Sequence, residues 1–158
     1  MALGSLEGTR VVDLYSGSGA LAIEALSRGA EWADLVDSDR RARETIVRNL
    51  TELSLTERAR LWPLRLPAGL ARLGEALAAA QVVFADPPYG GTDARAVLTG
   101  LGKPGVLQPA TRVVLETHAK DIVPPQEGCL VRERERQYGE TVVHVYRVGA
   151  GPAAGEDA

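Results

Sequence analysis

The stretch Arg10-Val11-Val12-Asp13-Leu14-Tyr15-Ser16-Gly17-Ser18-Gly19 decides the fold. Its first half is a short apolar strand and its second half is a glycine-rich turn. Ala20 to Arg28 then reads as a helix, with Leu21, Ala25 and Leu26 on one side and Glu24 and Arg28 off it. Gly29 stands where a helix C-cap is expected. A strand that passes into a helix through such a turn brings backbone close to a ligand at the carboxyl end of a parallel sheet.

The same alternation continues along the chain. Ala33-Asp34-Leu35-Val36-Asp37 reads as a second strand, and Ala42, Ile46, Leu50 and Leu53 stripe a helix over Asp39 to Leu53. Ala59 to Leu64 is a weaker strand closed by Pro63 and Pro67, and Leu70, Leu73 and Leu77 stripe a third helix from Ala68. Gln81 to Asp86 is apolar except at its ends, as a central parallel strand should be. A helix follows over Asp93 to Leu101, then a fifth strand over Arg112 to Glu116. Leu130 to Tyr138 and Thr141 to Val148 flank Gly139 and form a hairpin. The fold class is α/β: a mostly parallel seven-stranded sheet, helices on both faces, and a C-terminal antiparallel hairpin. Residues 1–149 form one domain, and 150–158 are expected to be a disordered tail.

Composition narrows the function. The chain has 158 residues, 45% hydrophobic and 25% charged, which excludes a fibrous or disordered protein. One cysteine, Cys129, and two histidines, His118 and His144, exclude a disulfide scaffold and the usual zinc sites, so no metal is expected. No apolar run is long enough to span a membrane and no signal peptide is evident, which fits the cytoplasm. The net charge of −3 argues against a protein that coats nucleic acid. A local grip is still open to it, because all but two of its 18 basic residues are arginine.

Two motifs carry chemistry. In the first, Gly17 and Gly19 lack the third glycine of a dinucleotide fingerprint, since position 22 is alanine, and no phosphate-loop lysine follows. Asp37 ends the second strand 18 residues after Gly19, the spacing at which an acid accepts hydrogen bonds from ribose hydroxyls. Asp39 is placed to cap the next helix. Asp13 precedes the loop and is positioned to meet a positive group, directly or through water. The second motif, Asp86-Pro87-Pro88-Tyr89, ends the fourth strand. Its prolines remove two backbone donors and leave the Pro87 carbonyl without a local obligation. An Asp86 carboxylate beside that carbonyl can grip the two hydrogens of an amino group, and Tyr89 offers a face for a purine.

Together these motifs resemble the S-adenosylmethionine-dependent amino-methyltransferases of nucleic acids. Within them, the chain is similar to the bacterial enzymes that methylate guanine N2 in small-subunit (16S) ribosomal RNA. Ser16 to Leu21, Glu24 to Ala30, Val36-Asp37-Ser38-Asp39, Asn49-Leu50, Phe84 to Tyr89 and Tyr138-Gly139-Glu140-Thr141 carry the likeness, from Gly8 to Val148. It implies a Rossmann-like class I methyltransferase fold, with S-adenosylmethionine held by Asp13, Tyr15, Ser16, Gly17, Ser18, Gly19, Asp37 and Asp86. It also implies catalysis by Asp86, Pro87 and Tyr89. The expected partner is 16S ribosomal RNA or the assembling small subunit, met by a monomer. The family carries a further basic segment before its first strand that this sequence does not include. Pro63 stands where an aspartate for the adenine amino group is expected.

Arg132, Arg134 and Arg136 alternate along one strand and are expected to share a face, either as a comb for phosphates or as an edge guard with Glu133 and Glu135. His118, at the end of the fifth strand, is either a substrate contact or a turn residue, and Cys129 reads as core. Three rivals remain. An adenine-N6 methyltransferase uses the same amine-gripping motif. A nucleotide-dependent oxidoreductase would leave Asp86 to Tyr89 unexplained. A catalytically inactive binding module would have no reason to keep the motif residues intact.

Overall fold

The computed structural model describes residues 4–149; the tail expected at 150–158 lies outside the described residues. The strands are β1 (Arg10–Leu14), β2 (Trp32–Val36), β3 (Ala59–Trp62), β4 (Val82–Ala85), β5 (Arg112–His118), β6 (Gln126–Glu127), β7 (Leu130–Tyr138) and β8 (Thr141–Val148). The α-helices are α1 (Ala20–Ser27), α2 (Arg40–Glu52), α3 (Gly74–Ala79) and α4 (Asp93–Leu101).

The strands form one sheet in the order β3-β2-β1-β4-β5-β8-β7-β6, with β1 to β5 parallel and the last three antiparallel to their neighbours. This is the expected architecture with one addition. The sheet has eight strands rather than seven, because Gln126–Glu127 pairs with the start of β7. Two smaller differences have local causes. β3 stops at Trp62 because Pro63 has no N–H to continue the ladder. The third helix begins as a 3-10 segment over Ala68–Leu73 and becomes α-helical only for Gly74–Ala79, since Gly69 and Gly74 weaken helix formation there.

Alternation along the strands divides the core between the two faces. Val11, Leu35, Phe84, Val114 and Val145 pack with Ala22, Ala25, Leu26, Ile46 and Leu50 of α1 and α2. Leu14, Val83, Leu115 and Tyr146 pack on the other face with Leu73, Leu77, Val97, Leu98 and Leu101. Among the described residues no helix is long and apolar enough to cross a membrane.

The arginine comb is overturned. A bulge between Arg132 and Arg134 shifts the pairing from Arg132↔Tyr146 to Arg134↔Val145, and the extra residue breaks the period of two. Arg132 therefore shares its face with Glu135, which it contacts at 3.0 Å. Arg134 and Arg136 lie on the opposite face, across from Val145 and Val143. Glu133 is taken up by Arg112 and Arg147 at 3.3 and 3.5 Å.

One buried acid fixes the turn out of β1. Asp13 is 1% exposed, and its Oδ2 accepts from the Ser16 hydroxyl at 2.8 Å and from the Ala22 N–H, in the first turn of α1, at 3.3 Å. Burial raises its pKa to about 7, with repulsion from Asp86 and Asp37 adding to the two hydrogen bonds' incomplete compensation. The unfolded chain loses this proton near the ordinary carboxylate value, whereas the folded chain keeps it to about 7. The Asp13 contribution to stability is thus full in acid and falls as pH rises through that window. Denaturant titrations from pH 5 to 8 should show wild type losing stability relative to Asp13→Asn; parallel curves would mean that Asp13 ionises normally.

Candidate active site

The chain leaves β1 toward β2 and β3, then returns to β4 on the other side of β1. Ligands of open α/β sheets bind where the strand order reverses in this way. A cleft of about 560 Å³ opens there, lined by Tyr15, Val36, Asp37, Ser38, Leu64, Arg65, Leu66, Asp86, Pro88 and Asp93.

The glycine loop is held by hydrogen bonds at both ends. The Ser16 N–H donates to the Val36 carbonyl at 2.9 Å, and the Gly19 N–H to the Ser16 carbonyl at 2.9 Å. Asn49 of α2 donates from Nδ2 to the Ser18 carbonyl at 3.0 Å. Gly17 and Gly19 have φ of 63° and 83°, in the left-handed region. Open space surrounds Gly17, whereas a Cβ on Gly19 would sit 3.1 Å from Leu35 Cδ2. Gly17 is thus required by its backbone angle, and Gly19 by both its angle and the packing of the loop on β2.

Asp37 holds the glycine loop to the start of α2. Its Oδ2 accepts from the Gly17 N–H at 2.9 Å and its Oδ1 from the Asp39 N–H at 2.8 Å. A carboxylate has roughly four acceptor positions, so about two stay free for hydroxyls. Asp39 does cap α2, accepting from the Ala42 N–H at 2.9 Å. Asp39 is thus engaged in capping, while Asp37 lies in the cleft lining.

Tyr15 adopts φ of 58°, unusual for a side chain of its size, and its hydroxyl donates to Asp93 Oδ2 at 2.9 Å. Burial and the Asp93 carboxylate both push the phenol's pKa up, so it stays a fixed donor that ties the end of β1 to the first turn of α4. Beyond β3, Pro63 is exposed and the cleft wall is made by Leu64, Arg65 and Leu66 instead. That wall is apolar but for Arg65 and suits a flat heterocycle.

Asp86 stands at the rim just past β4. Desolvation against the sheet end, with repulsion from Glu116 on β5, raises its pKa to about 6. Among the described residues no hydrogen bond reaches the Pro87 carbonyl, which is the free acceptor expected of two consecutive prolines. Tyr89 is half exposed, donates to Glu116 Oε1 at 3.4 Å, and stands edge-on to His118 at 5.7 Å. His118 accepts the Lys120 N–H at Nδ1 and faces Glu140 at 3.6 Å, so the hairpin turn closes this side of the rim. Cys129 is half-buried against the core, away from the cleft.

The structure brings Tyr15, Asp37 and Asp86 together on one cleft and sets Asp13, Ser16, Gly17, Ser18 and Gly19 behind or beside it. Arg132, Arg134 and Arg136 are not on it. Sequence reasoning missed Asp93, Arg65 and Glu116. Two of these are joined to motif tyrosines only through space, by hydrogen bonds spanning 78 and 27 residues. Glu116 alone left a signal, as an acid ending a strand beside the strand of Asp86.

The cleft fits S-adenosylmethionine by its donor set. Asp37 has acceptor capacity for a ribose, Leu64 and Leu66 offer an apolar wall, and Asp37 and Asp86 bring two acids to the cleft where a cationic ligand would lie.

Comparison with known proteins agrees. The family model described as "Conserved hypothetical protein 95" matches residues 1–147. The Bacillus subtilis protein named "Putative rRNA methyltransferase YlbH" is 35% identical over 141 residues, covering 89% of this chain and 77% of that protein. The Escherichia coli "Ribosomal RNA small subunit methyltransferase D" is 28% identical over 136 residues, covering 86% and 67%. A solved structure of a conserved hypothetical protein from Streptococcus pyogenes is 32% identical, with a TM-score of 0.77 over 92% of this chain and 89% of that one. The chain belongs to the "Conserved hypothetical protein 95" family and is an S-adenosylmethionine-dependent methyltransferase.

Proposed function

We propose that this enzyme methylates the exocyclic N2 amino group of a guanine in small-subunit (16S) ribosomal RNA, in the cytoplasm. The naming of the Bacillus and Escherichia relatives as ribosomal RNA methyltransferases supports the substrate class. The observation that carries the chemistry is Asp86 in the cleft at the switch point of the sheet, followed by a Pro87 carbonyl that no described hydrogen bond reaches.

Bound S-adenosylmethionine supplies a methyl group activated by its sulfonium. The protein orients the nucleophile. Asp86 and the Pro87 carbonyl accept the two amino hydrogens, which turns the nitrogen lone pair out of conjugation and fixes its line of approach. Tyr89, held upright by Glu116 and His118, gives an extruded base a surface to pack on. The amine needs no base before attack. Once methylated it becomes acidic, and Asp86, with a pKa of about 6, accepts the proton or passes it to water.

The two acids separate binding from turnover. Asp37→Ala should weaken S-adenosylhomocysteine by about 10- to 100-fold in calorimetry, the range of a lost charge-assisted hydrogen bond. Asp86→Ala should keep that affinity within a few-fold while single-turnover methylation falls by about 100-fold or more, the scale of one lost transition-state contact. Equal effects of both changes on binding and rate would sink the division of labour.

Acceptance by Asp86 requires its ionised form, so acidification below about 6 should remove it. Carbon-13 NMR of the free enzyme should place the Asp86 titration near 6, and Glu116→Gln should move it lower by removing a repulsive charge. An unmoved midpoint would mean that Glu116 does not act on Asp86.

A further inference from the structure

β4 and β5 run parallel with Ala85 paired to Leu115, and the next residue on each strand is an acid. Asp86 and Glu116 thus occupy neighbouring positions at the carboxyl edge, on the face that Phe84 and Val114 turn toward α1. Among the described residues neither forms an ion pair with a lysine, arginine or histidine. Glu116 is half-buried, Tyr89 occupies its Oε1 at 3.4 Å, and no described hydrogen bond uses its Oε2. Two uncompensated acids on the edge that is to meet a polyanion are unfavourable unless the ligand itself brings hydrogens.

A guanine brings them. Its N1/N2 edge presents three hydrogens, two on N2 and one on N1, whereas the amino edge of adenine presents two hydrogens beside the N1 lone pair. Asp86 and Glu116 stand side by side at the rim, and the Pro87 carbonyl next to Asp86 has no described hydrogen bond, which makes three acceptors within one short stretch of the edge. We propose that Glu116 accepts the N1 hydrogen of the target guanine and, by opposing a lone pair at that position, is the residue that excludes adenine. This rests on the guanine-N2 reading above and supplies what the Asp86-to-Tyr89 motif lacks, since that motif grips any amino group. A site built to bond a donor rejects the analogue without it because its own buried acceptor is then left unpaired.

The test uses 2-aminopurine, which keeps the C2 amino group but carries a lone pair at N1. Wild-type enzyme first methylates 16S ribosomal RNA that lacks the modification, and nucleoside mass analysis locates the product. Synthetic RNAs then carry guanine or 2-aminopurine at that position. Wild type should prefer guanine by about 10- to 100-fold in kcat/KM, as expected for one charge-assisted hydrogen bond. Glu116→Gln should bring the two substrates within about threefold, because a side-chain amide presents either a donor or an acceptor. Unchanged S-adenosylhomocysteine affinity in the variant would show that it folds. If N2-methylguanine forms and the variant keeps the wild-type ratio, the assignment of Glu116 is overturned and the guanine reading stands. If wild type yields N6-methyladenine instead, the guanine reading is overturned and this assignment falls with it.

Discussion

A carboxylate buried in the end of β1 holds the ligand-binding edge of this enzyme together. Asp13 receives the Ser16 hydroxyl and the Ala22 N–H, so one side chain shapes the loop and begins the helix after it. The loop's other face is fixed by Asp37, which receives Gly17 and Asp39, and Asp39 in turn caps α2. Three acids thus link two strands and two helices through backbone N–H groups that no helix or strand ladder satisfies. Loss of any one would free a segment of the cleft wall rather than a single contact.

That arrangement is electrostatically expensive. Burial, reinforced by repulsion from Asp86 and Asp37 on Asp13 and from Glu116 on Asp86, pushes Asp13 and Asp86 well above ordinary carboxylate pKa values. A site tuned for an anionic ligand would place arginines here. Instead the cleft contains Arg65, and several other arginines are occupied elsewhere: Arg28 and Arg40 with glutamates on their own helices, Arg112 and Arg147 with Glu133 on the hairpin. The imbalance is resolved when a ligand with positive charge enters, because each acid then gains a favourable neighbour.

The parallel half of the fold was legible because each βα unit repeats the same local grammar. Apolar strands as short as Val82–Ala85 are bounded by glycine or proline, and Ile46 and Leu50 mark the buried stripe of α2. The placement of the glycine loop, Asp37 and Asp86 was legible for the same reason: each directly follows a strand end. Arg132, Arg134 and Arg136 were misread because strand alternation holds only while the ladder is regular. A bulge is set by how β7 must twist to pair with β8, and no residue between Leu130 and Tyr138 is a glycine or proline that would announce it. Asp93 and Arg65 were illegible for a different reason. Asp93 meets Tyr15 only because α4 packs at the end of β1, and Arg65 enters the cleft from the loop after β3, with no local sequence signal for either.

The bulge also decides which side of the sheet each hairpin arginine faces. It directs Arg132 to Glu135, leaving Arg134 and Arg136 across from Val145 and Val143, on the side of the sheet that carries α1 and α2. Asp86 and Glu116 project toward that same side from β4 and β5. A regular strand would have put Arg132 there with its neighbours, away from Glu135, which lies on the opposite face in either case. The irregular strand instead removes one arginine by internal pairing and keeps two on the side where the acceptors stand. Phosphate contacts position a nucleic acid while base contacts select within it. Arg134 and Arg136 on the hairpin and Glu116 on β5 thus share one face of one sheet, with Val143 between Glu116 and Arg136 in the register.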